Sequence, residues 1–114
     1  PIQMALTEFL KEPSHYMSLG NFFKEKRDYF LSLTRGSRFE PLPCNGTYFQ
    51  LMKYHRISDL PDTEMATWMT KEHGVASIPT SVFYHRKTDN KILRFCFAKN
   101  NETLASAAEK LCRI

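Results

Sequence analysis

Within "KILRFCFAK", residues 91–99, a single arginine interrupts a run that otherwise has the residue types of a buried β-strand. Alternate side chains of a strand face opposite ways, so Leu93, Phe95 and Phe97 share one face while Ile92, Arg94, Cys96 and Ala98 share the other. The aromatic face is core, which points Arg94 to the second face. Two roles fit it there. Residue types alone favour a snorkelling arginine paired with a glutamate on a covering helix. The functional alternative is a carboxylate clamp, because a guanidinium offers paired donors that match a carboxylate in a bidentate, charge-assisted pair.

Other candidates carry less chemistry. His15, His55, His73 and His85 show none of the spacings that place two ligands on one metal, and no metal site is expected. Cys44 in "PCNG" would need a base or a helix N-terminus to become a nucleophile, and neither is identifiable, so a packed or exposed thiol is expected. Trp68 with Met65 and Met69 reads as the core stripe of a helix. "GTYF" at 46–49 reads as a turn glycine leading into a strand, and "YHRK" at 84–87 as a solvated polar loop. No glycine-rich phosphate loop occurs.

The elements that must position these residues follow from periodicity. Ile2, Ala5 or Leu6, Phe9 and Leu10 predict a helix over 2–11, stopped by Pro13. Ser14 is expected to cap a second helix over 14–35, with Tyr16, Leu19, Phe22, Phe23, Phe30 and Leu33 on one face and Gly36 as its stop. At about 20 residues it would be roughly 30 Å long and would span the domain's whole height or brace it against a neighbour. "RFEPLPCNG" is a proline-broken edge segment, and "TYFQLMKY" predicts a strand from Thr47 to about Lys53. Pro61 and Asp62 start a short helix that Gly74 ends; "VASIP" is a short strand ended by Pro79; "KILRFCFA" is the second strong strand. Asn100 or Asn101 caps a last helix with Leu104, Ala107, Ala108 and Leu111 as its apolar stripe. The expectation is one α/β (α+β) domain, residues 1–114, with helices covering a small, mostly antiparallel sheet.

Composition bounds the function classes. A hydrophobic content of 42% with 25% charged residues excludes a disordered chain, and no apolar run approaches the roughly 20 residues of a membrane span. The net charge of +4 is spread along the chain without a basic block, too mild for a nucleic-acid footprint. Three cysteines without a C-x-x-C pair argue against a disulfide framework and for a reducing, cytoplasmic setting. The first residue is Pro1, so the chain is expected to be a processed product or an excised piece of a longer one.

The succession "GTYF", "DTEMATWMTKEHGVASIPTSVFY" and "KILRFCFAKNNETLASAAEKL" resembles the C-terminal part of the class I, fold-type I aminotransferases that use pyridoxal phosphate, most of all the methionine and kynurenine (glutamine transaminase K) group. "PIQ" resembles the start of the family's helix after its cofactor-binding core, so the likeness spans essentially the whole chain. Many relatives carry a proline–glycine pair where Thr80 follows Pro79 here, a departure shared with the kynurenine and methionine group. The resemblance implies that Arg94 grips the substrate's α-carboxylate. It implies amino acid and 2-oxo acid substrates of methionine, glutamine or aromatic type, and a homodimeric parent. The family's Schiff-base lysine, the aspartate at the pyridinium nitrogen and the phosphate-binding arginine do not map onto these residues. The fragment alone is therefore expected to hold no cofactor and no catalytic residue, and to be inactive without the missing large domain.

Two rival readings come from other classes. A pI near 9.1 and the aromatic strands superficially suggest an RNA-binding sheet, but the glycine-aromatic signature is missing and two helices precede the first strand. A free-standing interaction domain is the other, favoured by the absent cofactor machinery.

Overall fold

The structure is a computed structural model that describes residues 1–114. Three helices open it: α1 (Ile2–Leu10), α2 (Ser14–Met17) and α3 (Leu19–Leu33). Strand β1 (Glu40–Pro41) and strand β2 (Phe49–Lys53) follow, then helix α4 (Asp62–Trp68), continued by a π-helical turn over Met69–His73. Strand β3 (Ile78–Pro79), a 3-10 turn at Ser81–Phe83, strand β4 (Ile92–Cys96) and helix α5 (Asn101–Cys112) complete the chain. The sheet is antiparallel throughout, in the order β1-β2-β4-β3, with Leu51 opposite Arg94 and Arg94 opposite Ile78.

The period-two reading of β4 holds. Leu93, Phe95 and Phe97 are buried with Gln50 and Met52 of β2 on the core face. Phe30 of α3, Met65 and Met69 of the α4 region, and Leu104 and Leu111 of α5 close over them in one cluster. Phe95 packs edge-on against Phe39 at 5.6 Å and lies 6.5 Å from Phe30. The opposite sheet face carries Phe49, Leu51, Lys53, Ile92 and Arg94, all half-buried, with Cys96 exposed. Helices therefore cover one face and leave the arginine's face open.

Several local expectations are corrected. The helix expected over 14–35 is broken at Ser18, and its main part, α3, is 15 residues long. Serine hydroxyls compete with the backbone for hydrogen bonds, and Ser18 Oγ donates to the Ser14 carbonyl at 2.7 Å where the two pieces meet. Ser14 is not the cap either: its hydroxyl and N–H turn back to the Glu12 carboxylate at 2.9 and 3.4 Å. Gly36 does not terminate α3, which ends at Leu33, where the buried Thr34 donates its hydroxyl to the Phe30 carbonyl. Strand β2 starts at Phe49, because Thr47, not the adjacent Gly46, takes the left-handed conformation (φ 64°) that turns the chain. "VASIP" yields only the two-residue β3. Gly74 is the left-handed stop that was expected, at φ 62°, and Asn100 caps α5 by accepting from the Thr103 N–H at 2.8 Å. Trp68 is half-buried against His73, and Met65 and Met69 are the fully buried members of its stripe.

Helices α1 and α2 contain no buried residue. They form an arm that lengthens the molecule to 50 Å along its longest axis. No helix is long and apolar enough to cross a membrane.

Candidate functional site

β4 projects Arg94 from the open sheet face. Its neighbours are aromatic rather than acidic: the guanidinium carbon lies 4.7 Å from the Phe49 ring centroid and 5.4 Å from that of Phe83. Phe49 arrives by register, two residues before Leu51, the residue opposite Arg94, and hence on the same face. Phe83 arrives from the 3-10 turn that follows β3. Neither the helix glutamate nor any other carboxylate reaches Arg94: the molecule's ion pairs join Glu8, Asp28, Glu40, Asp89 and Glu109 to other basic side chains. Ring faces attract a guanidinium while leaving it without an oxygen acceptor, so Arg94 retains donors for an incoming carboxylate.

The turn that carries Phe83 is pinned at two points. Thr80 donates its N–H and hydroxyl to the Ile92 carbonyl of β4 at 3.4 and 3.1 Å. Ser81 donates its N–H and hydroxyl to the two carboxylate oxygens of Asp62, at 2.7 and 2.6 Å. Asp62 is 1% exposed. Its own N–H donates to Asp89 Oδ2 at 3.1 Å, and Asp89 also accepts from the Lys91 N–H at 2.8 Å and pairs with its ammonium at 3.2 Å. Partial burial opposes ionisation of Asp89, but these bonds outweigh it and hold its carboxyl below the usual range. Tyr54, buried beneath them, donates to the Leu60 carbonyl at 2.8 Å; desolvation first, then the charges of Asp89 and Asp62, push its phenol above the ordinary tyrosine range. The sequence reading named Arg94 and missed Phe49, Phe83, Ser81 and Asp62. By sequence Asp62 marks only a helix start, and no local pattern announces a serine bonded to it 19 positions on.

The remaining candidates stay apart from this site. Cys44 is half-buried, with its thiol beside the Gly46 and Phe49 carbonyls at 3.1 and 3.5 Å. His15 stacks on Phe9, His55 lies 3.8 Å from Glu40, and no three His, Cys, Asp or Glu side chains converge as metal ligands. A cleft of about 440 Å³ opens between α3 and residues 45–48, lined by Phe23, Lys24, Arg27, Gly46 and Thr47 among others, but Arg94 is not part of it. Its cations are already paired: Lys24 and Arg27 both bond Asp28, and these bonds hold that carboxyl below its usual range.

The lysines do not form a cofactor cradle. Lys11, Lys24, Lys53 and Lys91 are in ion pairs, Lys26 donates to Asn101, and none is buried. Pyridoxal phosphate needs a lysine amine, a partner for the ring nitrogen and phosphate donors in one place, and residues 1–114 do not assemble that set.

No family model matches the chain. Among curated proteins it is similar to methionine aminotransferase of Escherichia coli (strain K12), 48% identical over 97% of this chain and 29% of that protein. It is also similar to mouse kynurenine–oxoglutarate transaminase 1, 30% identical over 91% of the chain and 28% of that protein. Among solved structures, Escherichia coli YbdL, reported to have a methionine aminotransferase function, superposes with a TM-score of 0.93 at 47% identity, over 98% of this chain and 30% of that one. The chain thus spans under a third of the length of the proteins it matches.

Proposed function

Because the chain corresponds in sequence and fold to the C-terminal domain of the fold-type I aminotransferases, in the group of the methionine and kynurenine enzymes, we propose that it serves as that domain in a complete aminotransferase and that Arg94 binds the substrate's α-carboxylate. The observation that carries the reading is the state of Arg94: half-buried, held beside two aromatic rings and without a carboxylate of its own. An amino acid and the 2-oxo acid formed from it share that carboxylate, so one arginine orients both partners of the exchange. Its contribution is positioning, not proton transfer.

Storage of the amino group between the two halves of the reaction belongs to pyridoxal phosphate and to residues outside this chain. The 114 residues alone are inactive on this reading. The complete enzyme is a homodimer acting on amino acids of methionine, glutamine or aromatic type, and the three free cysteines of residues 1–114 suit the cytoplasm.

The test is Arg94→Ala in the complete enzyme. A charge-assisted hydrogen bond is worth roughly 1.5–3 kcal/mol, so loss of both bonds of a bidentate pair, about 3 kcal/mol or more, should raise KM for both substrates by about 100-fold or more. An unchanged KM refutes the assignment.

A further inference from the structure

Phe83 is 64% exposed, yet its ring stands 5.4 Å from the Arg94 guanidinium. Exposure of that degree leaves little packing to fix the ring, so its placement depends on the three-residue turn beneath it. That turn has few bonds of its own: the Phe83 N–H donates to the Thr80 carbonyl at 3.1 Å and the Tyr84 N–H to the Ser81 carbonyl at 3.1 Å. Its attachment to the domain is Thr80, bonded to Ile92 of β4, and, from the other side, the buried Asp62 of α4, which takes both Ser81 donors on separate carboxylate oxygens. The two-point grip fixes both the height and the rotation of the turn.

We propose that Asp62 is a positioning residue for the Arg94 carboxylate site: through Ser81 it holds the Phe83 ring against the guanidinium and so sets the direction in which Arg94 presents its donors. An arginine has four rotatable side-chain bonds and a planar fork, and a bidentate contact requires that fork to be aimed. Phe49, fixed on β2, supplies one ring, and Phe83 supplies the second only while the turn is tied down. The proposal rests on the reading of Arg94 as the carboxylate clamp.

The experiment uses the complete enzyme and measures the Kd of 3-phenylpropionate, a carboxylate without an amino group, together with the thermal midpoint. Phe83→Leu and Asp62→Asn should each weaken binding about 3- to 10-fold, and Phe83→Tyr, which keeps the ring, should stay within about 2-fold of the parent. The two losses should be less than multiplicative in the double variant, because both act through one contact, and both should vanish in an Arg94→Ala background. A merely structural role for Asp62 would lower the thermal midpoint while leaving Kd unchanged. If Arg94→Ala weakens binding but Phe83→Leu and Asp62→Asn do not, the positioning proposal is overturned and the clamp stands. If Arg94→Ala itself leaves Kd unchanged, the clamp reading falls and takes the proposal with it. Should Asp62→Asn fail to fold, Ser81→Ala, which deletes one of the two bonds, replaces it under the same criteria.

Discussion

Deleting residues 1–17, the arm formed by α1 and α2, should leave the unfolding free energy of the 114-residue chain within about 0.5 kcal/mol of its starting value. The structure supplies the reason. Neither helix buries a residue, and the aromatic contacts of Phe9, to His15 at 5.2 Å and Tyr16 at 6.3 Å, stay inside the arm. The radius of gyration is 16.6 Å, against about 13 Å for a compact chain of this length, as expected when a segment stands off the core. Yet the arm is not polar: Ile2, Met4, Leu6, Phe9 and Leu10 are 43–77% exposed. Their exposure amounts to about three fully open side chains, so covering them on another surface would be worth roughly 5–9 kcal/mol. Urea unfolding followed by circular dichroism should therefore give the same midpoint and slope for 1–114 and 18–114. Sedimentation should show stronger concentration-dependent self-association for the longer chain than for the shorter one. A drop of 2 kcal/mol or more on deletion, with a smaller slope, would mean that the arm packs against the domain in solution and would refute the reasoning.

Three further outcomes follow from the core and the polar network. Phe95→Ala, which empties a buried site between Phe39 and Phe30, should cost about 3–5 kcal/mol in chemical denaturation. Gly74→Ala places a Cβ at φ 62° and 3.3 Å from Lys110 Nζ; the ammonium can shift but the backbone angle remains, so a loss of about 1–2 kcal/mol is expected from the thermal midpoint. The Asp89 carboxyl is held below its ordinary value of 3.8, so its contribution is fully present above that pH and fades as the pH falls through the lower folded value. Asp89→Asn should flatten the stability profile in that acid window and leave the slope around neutrality unchanged.

What the chain revealed in advance depended on the range of the signal. Strand alternation is local and has a period of two, so it separated Leu93 and Phe95 from Arg94 without any knowledge of the partner strands, and the burial pattern agrees. The apolar period across residues 14–33 is also local, but it does not register the hydroxyl that competes for the backbone at Ser18, so it extended α3 through a break. In the same way, apolar spacing in α1 predicted a helix correctly but said nothing of what covers it. The surroundings of Arg94 are non-local. Phe49 needs the β2–β4 register, Phe83 needs the turn after β3, and Asp62 needs both that turn and the start of α4. No periodicity in a single segment encodes those meetings.

The distribution of acids around the sheet supports the proposed carboxylate role of Arg94 over the structural ion pair. A structural ion pair requires an acid within reach, and the domain has them to spare: Glu40 lies 3.8 Å from Lys53 on β2, and Asp89 sits beside Lys91 at the entry to β4. Lys91 is three residues from Arg94, so the sequence neighbourhood could have supplied a partner at little cost to the fold. Aromatic rings stand there instead. A ring steadies a cation without neutralising it, whereas a bound acid would have to be displaced before a substrate carboxylate could enter, at a penalty of the same order as the new bond itself. An arginine steadied by rings and without an acid partner on an open sheet face is suited, on the proposed reading, to a carboxylate that comes and goes, and the replacement of Phe83 by an acid, Phe83→Glu, should stabilise the domain slightly while weakening carboxylate binding in the complete enzyme.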